Sequence, residues 1–183
     1  GLITEWYENG NKKSEHRCKD GELNGLLSKW SEDGTKILEQ HFKDGLDYGV
    51  TSEWYENGIK KREGNFRDGE LDGLFCSWYE NGNKKIEKHL KVGELEGSVT
   101  EWYENGNKMT ECGYKDGEKH GLYVSWCENG QKDAEAHYKN GKLHGCLIKY
   151  FENGQKESEV NYEDGVEDGQ CLEWYENGNK MLE

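Results

Sequence analysis

The cysteine and histidine side chains are the first candidates for chemistry, because thiolates and imidazoles bind metals and act as nucleophiles or bases. No two cysteines have the C-x-x-C spacing of a zinc or redox site, and no serine or cysteine stands with its own histidine and acid as a catalytic triad would require. Three histidines recur at intervals of 48 residues, and such positions lie about 20 Å apart on a sheet, too far for one metal ion. We therefore expect buried or half-buried free thiols, no metal site, no cofactor and no catalytic residues. The residues are Cys18, Cys76, Cys112, Cys127, Cys146 and Cys171, with His16, His41, His89, His120, His137 and His144; the three spaced histidines are His41, His89 and His137.

Charged residues stand at fixed distances from a recurring aromatic residue: a glutamate two residues after it, a lysine six after it and a second glutamate nine after it. The lysine stem can cover the ring while its ammonium reaches a carboxylate, so we interpret these columns as a latch between neighbouring hairpins. The alternative is an acidic stripe that binds a basic partner or cations. The candidate acidic binding column is Glu8, Glu32, Glu56, Glu80, Glu104, Glu128, Glu152 and Glu176. The lysines run from Lys12 to Lys180 and the second glutamates from Glu15 to Glu183 at the same interval.

These columns belong to an internal repeat of 24 residues, which has no insertion or deletion. The aromatic residues that mark it are Trp6, Trp30, Trp54, Trp78, Trp102, Trp126, Tyr150 and Trp174. Three glycine columns have the same period and hold 22 of the 25 glycines. A fixed period of this length is typical of repeat proteins, and the sequence therefore predicts one continuous array of about 7.6 repeats over residues 1–183.

Composition excludes several classes of protein. The chain has 183 residues, no proline, 32% hydrophobic residues and a formal net charge of −14. Low hydrophobicity with high charge is typical of disorder, but the aromatic content of 12% is not. An acidic chain lacks the basic surface that nucleic acids require. No apolar run approaches the roughly 20 residues of a membrane-spanning helix.

In the segment 97–114, which shows the pattern of the repeat, two short runs rich in aromatic and β-branched residues flank Glu-Asn-Gly, which predicts a β-hairpin. A two-residue turn would pair Trp102 with Met109, whereas a three-residue turn would pair Trp102 with Lys108. We favour the second pairing because we expect it to place Val124, Trp126, Ala134, Ala136 and Tyr138 on one face. In either case the first glycine column supplies the positive φ of the turn. Its members are Gly10, Gly34, Gly58, Gly82, Gly106, Gly130, Gly154 and Gly178.

The second half of each repeat reads as the return connection. Asp-Gly, as at Asp68 and Gly69, predicts a second tight turn. We expect the third glycine column, which includes Gly73 and Gly121, to permit close approach of a neighbouring backbone at the start of a strand.

The fold expected is all-β: an elongated single-layer antiparallel meander of repeated β-hairpins, forming an open, twisted, solenoid-like ribbon. Its thin core would be an aromatic ladder in which each repeat packs its rings against the next. The ladder comprises the eight marker residues named above together with Phe42, Phe66, Tyr114, Tyr138 and Tyr162.

The repeat resembles the MORN repeat, especially its bacterial and viral variant. The resemblance covers the whole chain and rests on W-Y-E-N-G-N-K at 6–12, 102–108 and 174–180, on Y-K-D-G at 114–117, and on the His-Gly pairs at 120–121 and 144–145. It implies an elongated hairpin scaffold that binds partners on a concave face. MORN proteins have also been linked to membranes and phospholipids.

We therefore expect a non-catalytic scaffold for protein–protein interaction. One alternative is a structural protein that assembles through its open ends or edges. A second is a membrane or phospholipid targeting module, which the negative charge disfavours because anionic headgroups would repel it. A protein partner is expected, self-association through the ends is a further expectation, and a cytoplasmic or otherwise reducing compartment fits the free thiols.

Overall fold

The computed structural model describes residues 1–181, which leaves Glu183 of the second glutamate column outside the described residues. The described residues form strands and turns without any helix, so they contain no helix able to cross a membrane. The chain divides into two compact units, Gly1–Gly93 and Glu94–Glu183, called here the N-terminal unit and the C-terminal unit.

The N-terminal unit contains ten strands. They are β1 Leu2–Trp6, β2 Lys12–Lys19, β3 Glu22–Leu23, β4 Gly25–Trp30, β5 Lys36–Lys43, β6 Leu46–Asp47, β7 Gly49–Trp54, β8 Lys60–Arg67, β9 Glu70–Trp78 and β10 Lys84–Lys91. The C-terminal unit contains eight. They are β11 Glu94–Trp102, β12 Lys108–Lys115, β13 Glu118–Trp126, β14 Lys132–Lys139, β15 Lys142–Leu143, β16 Gly145–Tyr150, β17 Lys156–Glu163 and β18 Val166–Glu173.

Within each unit the strands form an open antiparallel meander of hairpins. Strand β1 pairs with β2, β4 with β5 and β7 with β8 in the N-terminal unit, and β11 with β12, β13 with β14 and β16 with β17 in the C-terminal unit. The return connections pair each hairpin with the next one along the chain. In each unit the strands in contact follow one another along the chain, apart from the two-residue strands β3, β6 and β15 that lie between some of them, as expected for a single layer. The all-β hairpin fold predicted from the repeat is confirmed.

The Glu-Asn-Gly segment forms the predicted three-residue turn. Trp102 lies opposite Lys108. The Tyr103 amide donates to the Asn107 carbonyl at 2.8 Å, and the Gly106 amide donates to the Tyr103 carbonyl at 2.9 Å. Gly106 has φ +92°, which glycine adopts without steric cost. The same two hydrogen bonds recur in the other described repeats, for example at Tyr55 and Gly58.

A β-bulge follows each of these turns and corrects the expected assignment of faces. Ser125 pairs with Ala134, but Trp126 pairs with Lys132, so Asp133 is an extra residue on β14. Paired residues share a face, and one extra residue reverses the alternation beyond it. Trp126 and Val124 therefore share a face with Lys132 and Glu135. The other face carries Ala134, Ala136 and Tyr138, so the expected grouping of all five apolar residues on one face is wrong.

The core is correspondingly divided between two half-covered faces rather than built from one aromatic ladder. No large side chain in the described part of the chain is fully buried, and Trp6 is 61% exposed. The most buried positions hold small or aliphatic side chains, with Ala136 at 1%. The buried apolar residues are Leu27, Cys76, Leu90, Val99, Cys112, Val124 and Ala136, and the buried polar ones are Ser14, Ser28, Thr51, Ser52 and Ser125.

The return turns contain two residues with positive φ. In the turn between Arg67 and Glu70, which pair with each other, Asp68 has φ +51° and Gly69 φ +87°. This is the type I′ geometry that Asp-Gly favours.

Positive φ, and not close approach of a neighbouring backbone, is the reason for glycine in the third column. Gly121 has φ +87°, yet a Cβ there would meet nothing within 4 Å. The close approach occurs instead at Gly113, outside the three columns, where a Cβ would clash with the His120 carbonyl oxygen. The expectation of close approach for this column is therefore wrong.

Val92 occupies the aspartate position of a return turn and has φ +49°, an unfavourable angle for a β-branched residue. We expect Val92→Asn to raise the free energy of unfolding by about 1 kcal/mol, because asparagine tolerates the left-handed region. Urea denaturation of the two proteins measures this difference. Asp68→Asn is the matched control, since it leaves a tolerant residue in the same geometry; an equal gain from both variants would contradict the explanation.

Candidate functional site

The row of Glu-Asn-Gly turns, with Glu-Asp-Gly at residues 32–34, is the candidate site and is called here the turn edge. In the N-terminal unit it consists of residues 8–10, 32–34, 56–58 and 80–82, and in the C-terminal unit of residues 104–106, 128–130, 152–154 and 176–178. The eight glutamates of the candidate acidic column all lie on it, and all are exposed. The turn edge therefore presents carboxylates to solvent at the period of the repeat.

Turn asparagines fix the backbone from which these carboxylates project. The Asn57 side chain accepts a hydrogen bond from the Ile59 amide at 3.0 Å and so stabilises its own turn. Its Nδ2 donates to the Glu80 carbonyl of the next turn at 3.0 Å. The same inter-turn bond runs from Asn9 to Glu32, from Asn105 to Glu128 and from Asn153 to Glu176. Because the glutamate backbone is held by its neighbour, the spacing of the carboxylates is set by the sheet.

The tyrosine after the marker tryptophan adds a second link of the same kind. The hydroxyl of Tyr103 donates to the Trp126 carbonyl at 2.9 Å, and that of Tyr55 donates to the Trp78 carbonyl at 2.8 Å. Sequence reasoning treated the asparagines only as turn formers and did not assign these tyrosines. The sequence did contain a signal for both links, because the asparagine and the tyrosine each recur at one position of the repeat. The turn itself does not require the tyrosine, so its recurrence indicated another role.

The lysine column joins the second glutamate column to the rings. Lys132 Nζ lies 2.7 Å from Glu135 and 5.6 Å from the centre of the Tyr150 ring in the following repeat. The bulge makes this possible, because it places residues three apart on one face of β14. The same contact with the ring of the next repeat is made by Lys12 on Trp30, Lys60 on Trp78, Lys108 on Trp126 and Lys156 on Trp174.

This arrangement neutralises the second glutamate column. The hydrogen bond from Lys132, followed by that from Tyr150, holds the pKa of Glu135 below its usual value. The hydrogen bond from Lys60 is the largest cause of the same lowering at Glu63. The Lys–Glu pairs measure 2.5–2.8 Å in seven repeats. The two glutamate columns therefore differ: the second forms ion pairs on the sheet face, and the first is displayed on the turn edge.

Grooves lie along the turn edge at equivalent places in the two units. One, of 580 Å³, is lined by Trp54, Tyr55, Glu56, Asn57, Lys61 and Glu80, with Lys29, Ile37, Leu38 and Glu53. The other, of 470 Å³, is lined by Tyr150, Phe151, Glu152, Asn153, Glu157 and Glu176. Six positions of the repeat are common to both, so the repeat itself builds an aromatic groove with a carboxylate rim.

Five consecutive segments of the chain match the model of the MORN repeat variant: residues 47–68, 71–91, 95–116, 119–140 and 143–164. Together they cover more than half of the chain. The chain belongs to the MORN repeat variant family. None of the curated proteins compared matches it. MORN repeats form scaffolds that commonly take part in protein or membrane interactions, and the family is generally non-catalytic.

The cysteines of these MORN repeats are free thiols at positions of different burial. Cys76 and Cys112 are buried, Cys18, Cys127 and Cys146 are half-buried, and Cys171 is exposed. Burial is the main reason that the pKa values of the Cys76, Cys112 and Cys146 thiols are raised. A raised pKa disfavours the thiolate, so these three residues are unsuited to nucleophilic chemistry at neutral pH.

The histidines occupy several different surroundings in the MORN repeats. His41 Nδ1 lies 3.0 Å from the Val50 carbonyl oxygen. His144 Nδ1 lies 3.6 Å from Glu163 and 3.7 Å from Asp164, whose carboxylates are exposed. Sequence reasoning did not bring these three residues together, because the return turn places them side by side. The ligand atoms of these three residues all lie within 4.8 Å of one another, which is close enough to hold a metal ion, and exposed acidic groups of this kind are common without one. The expected absence of a metal site stays a prediction.

The titration of Tyr150 reports on the contact between neighbouring MORN repeats. Burial, followed by its 2.8 Å hydrogen bond to Glu135, raises the pKa of Tyr150 to about 12. Because the folded protein holds the phenol proton more tightly than the unfolded chain, this contribution to stability is full below pH 10 and is lost as the pH rises towards 12.

We expect Glu135→Gln to lower the pKa of Tyr150 while leaving it above 10, since burial is the larger cause. The difference between the near-ultraviolet phenolate titrations of each protein and its Tyr150→Phe variant isolates this residue. A pKa unchanged by Glu135→Gln would contradict the assignment of the hydrogen bond.

Proposed function

We propose that this protein is a non-catalytic scaffold whose turn edge binds basic segments of partner proteins. The observation that carries the proposal is the column of exposed glutamates, in which an asparagine of the preceding turn fixes the backbone at Glu32, Glu80, Glu128 and Glu176. A net charge of −14 adds a long-range attraction for basic partners.

The spacing of the column suggests the kind of segment that fits. Consecutive turns in one unit are separated by two strands, or about 10 Å. Three residues of a polyproline II segment span about 9 Å and bring every third side chain back to the same face. A basic segment with lysine or arginine at every third position therefore matches successive carboxylates, with the peptide running across the strands at their turn ends.

The direct test compares two peptides of about twelve residues and identical composition by isothermal titration calorimetry at low ionic strength. One has lysine at every third position and is called here the spaced peptide; the other has its lysines adjacent. We expect the spaced peptide to bind about tenfold more tightly, as four weak contacts would give. Both affinities should fall with added salt. Equal affinities, or no binding of the spaced peptide, would contradict the proposal.

The rival functions give different results in the same samples. Light scattering at rising protein concentration detects assembly through edges, and co-sedimentation with phosphatidylserine vesicles detects binding to phospholipid. The proposal predicts neither a rise in mass nor sedimentation with vesicles. Assembly or vesicle binding without binding of the spaced peptide would replace the proposed function by the corresponding alternative.

A further inference from the structure

Several repeats carry a lysine that covers an aromatic ring of their own turn. The residue seven after the marker tryptophan is lysine in three repeats, and its ammonium lies over the ring that directly follows the tryptophan. The distances to the ring centres are 5.9 Å for Lys13 over Tyr7, 5.6 Å for Lys61 over Tyr55 and 5.4 Å for Lys85 over Tyr79. A cation at this distance is attracted by the electron-rich face of the ring. These three contacts show how a primary ammonium binds beside such a ring.

One repeat keeps the ring and reverses the charge. Phe151 follows the marker Tyr150, and the position seven after the marker is Glu157. Phe151 is held in place by its amide, which donates to the Gln155 carbonyl at 2.8 Å. This repeat therefore has a carboxylate at the position where three other repeats have the lysine that covers the ring.

The groove around Phe151 is correspondingly acidic. Its lining includes the three carboxylates of Glu152, Glu157 and Glu176 and no basic side chain. The equivalent groove at Tyr55 is lined by Lys29 and Lys61 as well as by its glutamates. The far wall of the Phe151 groove is fixed, since Asn153 Nδ2 donates to the Glu176 carbonyl at 2.8 Å. The site therefore combines a half-buried ring, an acidic rim and a defined shape.

We propose that the Phe151 groove binds one lysine or arginine side chain of the basic partner segment, with the cation over the ring and among the three carboxylates. This inference rests on the proposed function and names its specific anchor. In the Tyr55 groove Lys61 already takes the place of that side chain. The Phe151 groove is thus the anchor of a partner, and the remaining turns add the weaker contacts of exposed charges.

The test is the variant Glu157→Lys, which restores to this repeat the lysine present in three others. We expect it to weaken binding of the spaced peptide about tenfold, as loss of a partly desolvated cation–π contact would do. The matched control is Glu118→Lys, an equal charge change at an exposed residue that does not line the Phe151 groove. It should change the affinity less than about twofold, because exposed charges away from the contact are screened. Equal weakening by both variants would overturn the inference while leaving the proposed function intact.

A second measurement decides the inference even where the spaced peptide fails to bind. Nα-acetyl-lysine methylamide is titrated into the protein, with Nα,Nε-diacetyl-lysine methylamide as the uncharged control, while the Phe151 ring signals are followed by NMR. Shifts with the charged compound alone, lost in Glu157→Lys, support the anchor. The variant Lys61→Glu should create the same response at Tyr55. Identical shifts with both compounds, or none at Phe151, would overturn the inference.

Discussion

Replacing Gly106 by valine is expected to lower the free energy of unfolding by about 3 kcal/mol, since a β-branched residue is strained at positive φ. Gly106 has φ +92°. Its amide also closes the turn by donating to the Tyr103 carbonyl at 2.9 Å, so the turn cannot relax without losing that bond.

Asn107→Ala, one residue later, is the matched control. It removes the hydrogen bond from Asn107 Nδ2 to the Glu128 carbonyl, which measures 2.9 Å. An exposed hydrogen bond of this kind contributes about 1 kcal/mol. Urea denaturation of both variants gives the comparison. If the two substitutions cost the same, the left-handed glycine would not be what determines the turn.

The second large effect is expected at Ala136, which is 1% exposed and pairs across the sheet with Tyr123. The Tyr123 ring also contacts Tyr138 edge-on, with ring centres 6.0 Å apart. Ala136→Leu adds three carbon atoms to this filled space, and we expect it to cost about 2 kcal/mol through overpacking. Chemical denaturation measures the loss of stability.

A second substitution at the paired residue Tyr123 should compensate for Ala136→Leu. In the next hairpin the equivalent pair is Leu147 with Val160, which shows that the repeat accepts two medium-sized side chains there. The double variant Tyr123→Leu with Ala136→Leu should therefore recover more than half of the loss. If the two substitutions instead added without rescue, size complementarity between Tyr123 and Ala136 would not be the cause.

The spacing of residues predicted some levels of this structure and not others. The period, the hairpins and the Trp102–Lys108 pairing follow from the position of Glu-Asn-Gly between apolar segments. The faces do not follow, because the bulge at Asp133 and its equivalents adds a residue that alternation alone cannot reveal. Sequence therefore placed Trp126 and Tyr138 together, whereas the structure separates them.

The candidate site, too, could be predicted from the sequence only in part. The acidic column was visible as a glutamate at one position of the repeat, but its exposure depends on the turn geometry. The Asn57–Glu80 link and the groove at Phe151 depend on which repeats are neighbours across the sheet. A single repeat contains neither feature, so only the paired strands could reveal them.

The role of the turn-edge glutamates can be tested by removing charges at two different places on the protein. One variant replaces four turn-edge glutamates by glutamine: Glu56, Glu80, Glu152 and Glu176. The matched variant makes the same change beside the return turns, at the exposed residues Glu22, Glu70, Glu94 and Glu118. Both variants have the same net charge, so they differ only in where the carboxylates are removed.

Calorimetric titration of the spaced peptide into these two variants tests the proposed function most directly. We expect the turn-edge variant to lose at least about tenfold in affinity and the return-turn variant to stay within about twofold of the unmodified protein. Equal losses in the two variants would show that net charge and not the turn edge attracts the peptide, and would contradict the account.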